Sequence, residues 1–215
     1  MTNVHYKKIG IFGGTFDPIH IGHLRLALEL KQQLDLEEMR LIPSHRPPHR
    51  DEPLANSLQR VEMLQLALRD CVQLKIDERE IWRERPSYTY ETLQELRAEL
   101  GNGVSLVLCM GADAFSGLHT WFCWQKIIGL AHIVVVARPG WNLPEHGPVA
   151  DLLAKHQRES TSLSYEPAGS VVLMSPRLLP ISATEIRQQI HNKKSAQFLV
   201  PDSVWQYIQS NRLYQ

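Results

Sequence analysis

Gly13-Gly14-Thr15-Phe16-Asp17-Pro18-Ile19-His20-Ile21-Gly22-His23 is the stretch whose reading decides the fold. It follows a short apolar run, 9–12. It opens a segment in which Leu24, Leu28, Lys31 and Leu34 recur at helical spacing. The stretch therefore sits at a strand-to-helix turn. Two adjacent glycines there let backbone approach a ligand closely. A helix N-terminus presents N–H groups and a positive dipole end, which favour phosphate. His20 and His23 lie one helical turn apart at the mouth of that helix. The pattern reads as a nucleotide-phosphate site. It has neither the Gly-x-Gly-x-x-Gly of a dinucleotide fold nor the Gly-Lys-Ser/Thr of a P-loop. The competing, purely structural reading is a plain βα turn with two surface histidines.

Working outward, strand-like runs at 9–12, 39–42, 72–76, 104–110, 132–137 and 171–174 alternate with helical patterns at 24–34, 58–69, 90–100 and 121–130. The alternation predicts an α/β fold: a Rossmann-like, mostly parallel, doubly wound sheet with helices on both faces. The near-continuous apolar run 104–110 suits a sheet covered on both sides. Ligands in such folds gather at the carboxyl ends of strands. Gly13-Gly14 follows the first run, 43–50 the second, Gly111-Ala112-Asp113 the fourth and Arg138-Pro139-Gly140 the fifth. The Pro- and Gly-rich segment 139–148 predicts a surface loop, followed by a polar helix at 149–158. From 181 onward the chain reads as a small helical part, with Pro201 opening a last helix through Ser210. The expectation is one domain over 1–215, with that helical part at about 181–215.

At 215 residues and 43% apolar content the chain can bury a sizeable core. Lys+Arg and Asp+Glu both number 23, so the formal net charge is zero and no broad nucleic-acid surface is indicated. The one dense basic spot, 45–50, is too short for a nucleic-acid tail. Cys71, Cys109 and Cys123 lack metal-type spacing, and reduced cysteines fit a cytoplasmic protein. The N-terminal segment is polar, without a signal-peptide apolar region. The longest apolar stretch, 127–137, is too short to span a membrane. Oligomeric state is not legible.

His20 and His23 form a His-x-x-His pair, but no glutamate follows the first histidine and no third ligand is near, so phosphate contact is favoured over a protein-held metal. A second constellation is Ile181-Ser182-Ala183-Thr184-Glu185-Ile186-Arg187. Its structural reading is a capping box, Ser182 with Glu185. The same geometry aims N–H groups and hydroxyls at an anion. Thr184 and Arg187 share one helix face, and the planar fork of Arg187 suits phosphate.

The eleven-residue string resembles the signature of the nucleotidyltransferase superfamily, whose His-x-Gly-His motif handles ATP or CTP phosphates. Ile-Ser-x-Thr-x-x-Arg resembles that superfamily's second signature. Pro47-Pro48-His49-Arg50, Arg85-Pro86-Ser87-Tyr88-Thr89 with Thr92-Leu93, and Thr120-Trp121 narrow the resemblance to bacterial nicotinate-mononucleotide adenylyltransferases, from Ile9 to nearly the C-terminus. The resemblance implies adenylyl transfer from ATP to nicotinate mononucleotide, giving nicotinate adenine dinucleotide (deamido-NAD) and pyrophosphate in NAD biosynthesis. It implies Mg²⁺ with the ATP and direct attack on the α-phosphorus. Positioning and charge stabilisation then carry the catalysis, with no protein nucleophile.

Carried over by residue, Gly13, Gly14, Thr15 and Phe16 line the adenosine side. His20 and His23 contact ATP phosphates, and Ser182, Thr184 and Arg187 hold the triphosphate from the other side. Gly111 and Asp113 correspond to a nucleotide-ribose contact. Tyr88, Thr89, Trp121 and Phe122 correspond to the nicotinate pocket, where a ring such as Trp121 stacks on pyridine. Backbone N–H groups near Thr89 and Phe122 receive the carboxylate, which disfavours an amide. His49, Arg50 and Arg138 are candidates for the mononucleotide phosphate. On residues alone, Trp121 also reads as core and Arg138 as a solvated loop cation. The chain departs from the family at Phe122, where tyrosine is common; the ring is kept and a hydroxyl lost.

Two rivals stay open at this point. Pantetheine-phosphate adenylyltransferases, cytidylyltransferases and class I aminoacyl-tRNA synthetases share the histidine motif, but the first two do not explain Pro-Ser-Tyr-Thr or Thr-Trp, and a synthetase is longer. A catalytically silent nucleotide-binding regulator on the same fold is the other, although His20, His23 and Arg187 are all present.

Overall fold

The computed structural model describes residues 5–45, 52–137 and 143–215. In chain order they form β1 (Lys7–Gly14), α1 (Ile21–Gln33), β2 (Glu38–Pro43), α2 (Ser57–Leu68), β3 (Leu74–Ile76), α3 (Thr89–Leu100), β4 (Val104–Gly111), α4 (Ala112–Ser116), α5 (Trp124–Ile127), β5 (His132–Val136), α6 (Pro148–His156), β6 (Val171–Met174), α7 (Ala183–His191) and α8 (Asp202–Ser210). Short 3-10 turns occupy Leu118–Thr120 and Ser160–Ser164.

The strands make one sheet in the order β3-β2-β1-β4-β5-β6. β1 runs parallel to β4, from Lys7 opposite Val104 to Phe12 opposite Cys109. β4–β5 and β5–β6 are parallel too. This is the strand order of the Rossmann-like doubly wound fold, in which right-handed crossovers are the rule. β5 is buried at every position, as a strand covered on both faces requires.

The chain is organised as two compact units. The first comprises Met1–Phe12, Leu30–Met39 and Tyr88–Pro176. Its core includes Leu93 and Leu96 of α3, Val107 of β4, Phe115, Leu118, Ile127 and Ile133, all fully buried. Arg97 of α3 gathers loop carbonyls, donating to Gly101 O (2.8 Å), Val104 O (2.9 Å), Leu130 O (2.6 Å) and Pro167 O (3.0 Å). His132 is buried and neutral. Its Nδ1 accepts from the Ser170 N–H (3.0 Å), leaving Nε2 to donate to Glu166 O (2.9 Å), while burial holds its pKa down.

The second unit comprises Gly13–Glu29, Arg40–Ser87 and Arg177–Gln215. α2 packs on α8 through buried Met63, Leu64, Val204 and Ile208. Ser203 Oγ donates to Leu66 O (3.1 Å) and the Tyr207 hydroxyl to Glu62 Oε2 (2.9 Å). A reciprocal capping box, Asn56 with Gln59, starts α2.

Two expectations change. The helix expected over 121–130 is only Trp124–Ile127, because Cys123 adopts a left-handed φ of 51° and separates it from Trp121 and Phe122. The third strand starts at Leu74 rather than 72, since Val72 is 95% exposed and has no face to bury. The C-terminal part is helical as expected: α7 is followed by a last helix, α8, that Pro201 caps and that ends at Ser210.

Candidate active site

The Gly-Gly turn ends β1, and His20 stands immediately before α1, in the capping position. Its Nδ1 accepts the His23 N–H (3.3 Å), as a serine or asparagine oxygen would at a helix start. That bond assigns the tautomer: the ring proton sits on Nε2, which is left to donate. His20 is 4% exposed, and burial pushes its pKa down to about 4, so the ring is neutral at neutral pH. The His23 ring stacks on it with centroids 3.6 Å apart and planes 20° apart.

Two glycines here are closely approached by side chains. A Cβ on Gly22 would lie 3.0 Å from His20 Nδ1, and one on Gly14 would lie 2.8 Å from Phe16 Cε1. A Cβ on Gly13 would meet no atom within 4 Å, so protein packing does not demand glycine there. Phe16 has φ 51° and is 2% exposed. Its ring meets the His23 ring edge-on at 5.2 Å, so it supports that histidine from beneath. The Thr15 carbonyl accepts Arg60 Nη1 at 2.6 Å.

α7 belongs to the same unit. Ser182 Oγ accepts the Glu185 N–H (3.1 Å), but Glu185 turns its carboxylate to Gln189 (3.5 Å). Half of the expected capping box is therefore made. Ser182 and Thr184 are exposed. Arg187 donates through Nη1 to the Asp17 carbonyl (2.8 Å) and through Nη2 to Thr184 Oγ1 (3.3 Å). The fold thus joins the two signatures through Arg187 and Asp17, 170 residues apart in sequence.

In the other unit, Gly111 ends β4 and stands before α4. A Cβ on it would lie 2.6 Å from Asp113 Oδ1, so glycine leaves room for that carboxylate. Tyr88 stands before α3 with no side-chain cap. Its carbonyl accepts from Glu91 N (3.0 Å) and Thr92 N (3.1 Å), while Thr89 supplies the first N–H of the helix. The Tyr88 and Phe122 rings lie 4.8 Å apart, and Tyr90 meets Phe122 edge-on at 6.1 Å. Phe122 is 48% exposed. Trp121 is extended (φ −79°, ψ 147°) after the 3-10 turn, not at a helix start as expected. Together these offer aromatic faces beside a helix N-terminus suited to a carboxylate. His49, Arg50 and Arg138 lie outside the described residues.

Sequence reading assigned no role to Asp17, Arg60 or Tyr214. Arg60 is fully buried in α2 and Asp17 is 4% exposed. A buried arginine gives no periodicity signal beyond a charge on an inward helix face, and Tyr214 is remote in sequence. Among the described residues no three His, Cys, Asp or Glu side chains come together to hold a metal ion. Nor is any described helix long and apolar enough to cross a membrane.

The cytidylyltransferase-like family model matches residues 11–189. A Cellvibrio japonicus protein described as probable nicotinate-nucleotide adenylyltransferase is 63% identical over 96% of this chain and 98% of its own. The chain belongs to the nicotinate-nucleotide adenylyltransferase family. A Hahella chejuensis member of the same description is 48% identical over 97% and 96%. Among solved structures, the Plasmodium falciparum nicotinic acid mononucleotide adenylyltransferase complexed with NaAD matches with TM-score 0.73. It covers 97% of this chain and 98% of its own at 16% identity, a likeness of fold. Nucleotidyltransferases of this family's kind typically use a divalent metal with ATP.

Proposed function

We propose that this protein transfers the adenylyl group of ATP to nicotinate mononucleotide, releasing nicotinate adenine dinucleotide and pyrophosphate, in the cytoplasm as a step of NAD biosynthesis. The observation that carries the reading is the unit in which a neutral, N-cap histidine and the Arg187 fork are built onto one turn, in a chain so similar to named family members. Both substrates are small molecules; no nucleic acid or membrane partner is invoked.

A mononucleotide phosphate oxygen attacks the α-phosphorus. The new P–O bond forms as the bond to the β-phosphate oxygen breaks, and pyrophosphate leaves with the electron pair. His20 Nε2–H donates to phosphate oxygens as charge builds there, without having to lose a proton. His23, Ser182, Thr184 and the uncommitted N–H groups of Arg187 share the triphosphate. Gly13, Gly14, Thr15 and Phe16 shape the adenosine end, with Phe16 acting from beneath, and Gly111 and Asp113 hold a ribose. Tyr88, Trp121 and Phe122 frame the pyridine while N–H groups near Thr89 and Phe122 take its carboxylate. His49, Arg50 and Arg138 take the mononucleotide phosphate. Mg²⁺ brought in with ATP would supply positive charge against the phosphates, beside the donors of His20, His23 and Arg187.

Pyrophosphate release with ATP and Mg²⁺ tests the reading, comparing nicotinate mononucleotide, nicotinamide mononucleotide and phosphopantetheine. Release chiefly with the first is expected. Release chiefly with the amide overturns the carboxylate argument, and release only with phosphopantetheine overturns the substrate assignment. Silence with all three in a folded, ATP-binding protein favours the regulator.

A further inference from the structure

The Asp17 carboxylate is tied to two separate parts of its unit. Oδ2 accepts the Leu54 N–H (2.9 Å); Oδ1 accepts the Ala55 N–H (3.2 Å) and the Tyr214 hydroxyl (2.7 Å). With its carboxylate so occupied and 4% exposed, Asp17 is held in place. Its carbonyl, one bond from the Cα that this carboxylate anchors, holds Arg187 Nη1 at 2.8 Å. Arg60, donating to Thr15 O, Ala55 O and His45 O, supplies the positive charge that faces Asp17.

The C-terminus is shaped for this contact. Arg212 and Tyr214 both adopt left-handed φ values, 51° and 66°, which side-chain-bearing residues rarely take. Leu213 and Tyr214 are nonetheless buried, at 9% and 8% exposure. Burial and Asp17 hold the Tyr214 hydroxyl far above its usual pKa, so it remains a donor.

We propose that Tyr214 is a positioning residue for adenylyl transfer: its hydroxyl fixes Asp17, and the Asp17 carbonyl fixes the Arg187 guanidinium that meets the triphosphate. Of the roughly five N–H donors of an arginine, this arrangement commits one to Asp17 and one to Thr184, and aims the remainder. The inference rests on the adenylyltransferase reading and adds to it a residue of the last turn of the chain.

A double-mutant cycle of Tyr214→Phe with Arg187→Ala, followed by pyrophosphate release well below the melting temperature of each variant, tests it. Tyr214→Phe is expected to lower kcat by about tenfold and raise KM for ATP, with KM for nicotinate mononucleotide unchanged. In the Arg187→Ala background it is expected to do nothing further. Wild-type kinetics in Tyr214→Phe, or an undiminished loss without Arg187, overturns the proposal. If Arg187→Ala itself leaves turnover intact, the site reading fails instead. A second measurement needs no variant. Nitrogen-detected NMR of the wild-type protein is expected to show slowed Cζ–Nη rotation at Arg187 before any nucleotide is added. Free rotation there overturns the proposal even if Tyr214→Phe fails to fold.

Discussion

The imidazoles of His20 and His23 lie 3.6 Å apart and within 20° of parallel, and the backbone N–H of the second is accepted by Nδ1 of the first. The cap and the proposed phosphate donor are thus two ends of one ring. His20→Ala is expected to lower turnover by about a hundredfold or more, the scale of losing a charge-stabilising donor. His20→Asn, which restores the cap, is expected to recover stability more than turnover. Steady-state kinetics and thermal denaturation on both variants check this.

The neutral His20 also makes stability pH-dependent. Its folded pKa is lowered to about 4 from 6.5. Above pH 6.5 both folded and unfolded forms are neutral and its contribution is fully present. Between 6.5 and 4 the unfolded state takes a proton that the folded state refuses, so stability falls as pH falls, by about 3 kcal/mol at most. Denaturant titrations from pH 7 to pH 4 read the slope. A slope in that window unchanged in His20→Asn would sink the assignment.

Gly22→Ala separates packing from function. Alanine raises helix propensity by up to about 1 kcal/mol, yet its Cβ presses His20 Nδ1 at 3.0 Å. Stability is expected to stay within about 1 kcal/mol of wild type while kcat falls about tenfold. Wild-type kcat would show that the ring tolerates displacement.

Arg60 has no solvent to turn to. Replacing it with methionine strands the Thr15, Ala55 and His45 carbonyls and leaves Asp17 without the positive charge that faces it. A loss of about 3–5 kcal/mol is expected by equilibrium unfolding. A loss below about 1 kcal/mol would mean water replaces the guanidinium.

Trp121→Ala is expected to raise KM for nicotinate mononucleotide more than KM for ATP, given its extended backbone beside the Tyr88–Phe122 pair. Equal effects on both substrates would point to a folding defect instead.

Hydrophobic period and turn chemistry are local properties. They made the strands, most helices and the Gly-Gly turn legible, along with the two signature strings that mark the candidate site. The sequence by itself therefore determined the α/β alternation and the strand-to-helix turn that carries His20 and His23. It overran at 121–130, because nothing in Trp121-Phe122-Cys123 signals that Cys123 takes a left-handed conformation. Tertiary structure alone decided what each motif residue touches. Only folding buries His20 enough to keep it neutral and brings Tyr214, Arg60 and Arg187 onto Asp17 and its neighbours. Burial and long-range hydrogen bonds depend on the whole chain's path, and no window of neighbouring residues contains them.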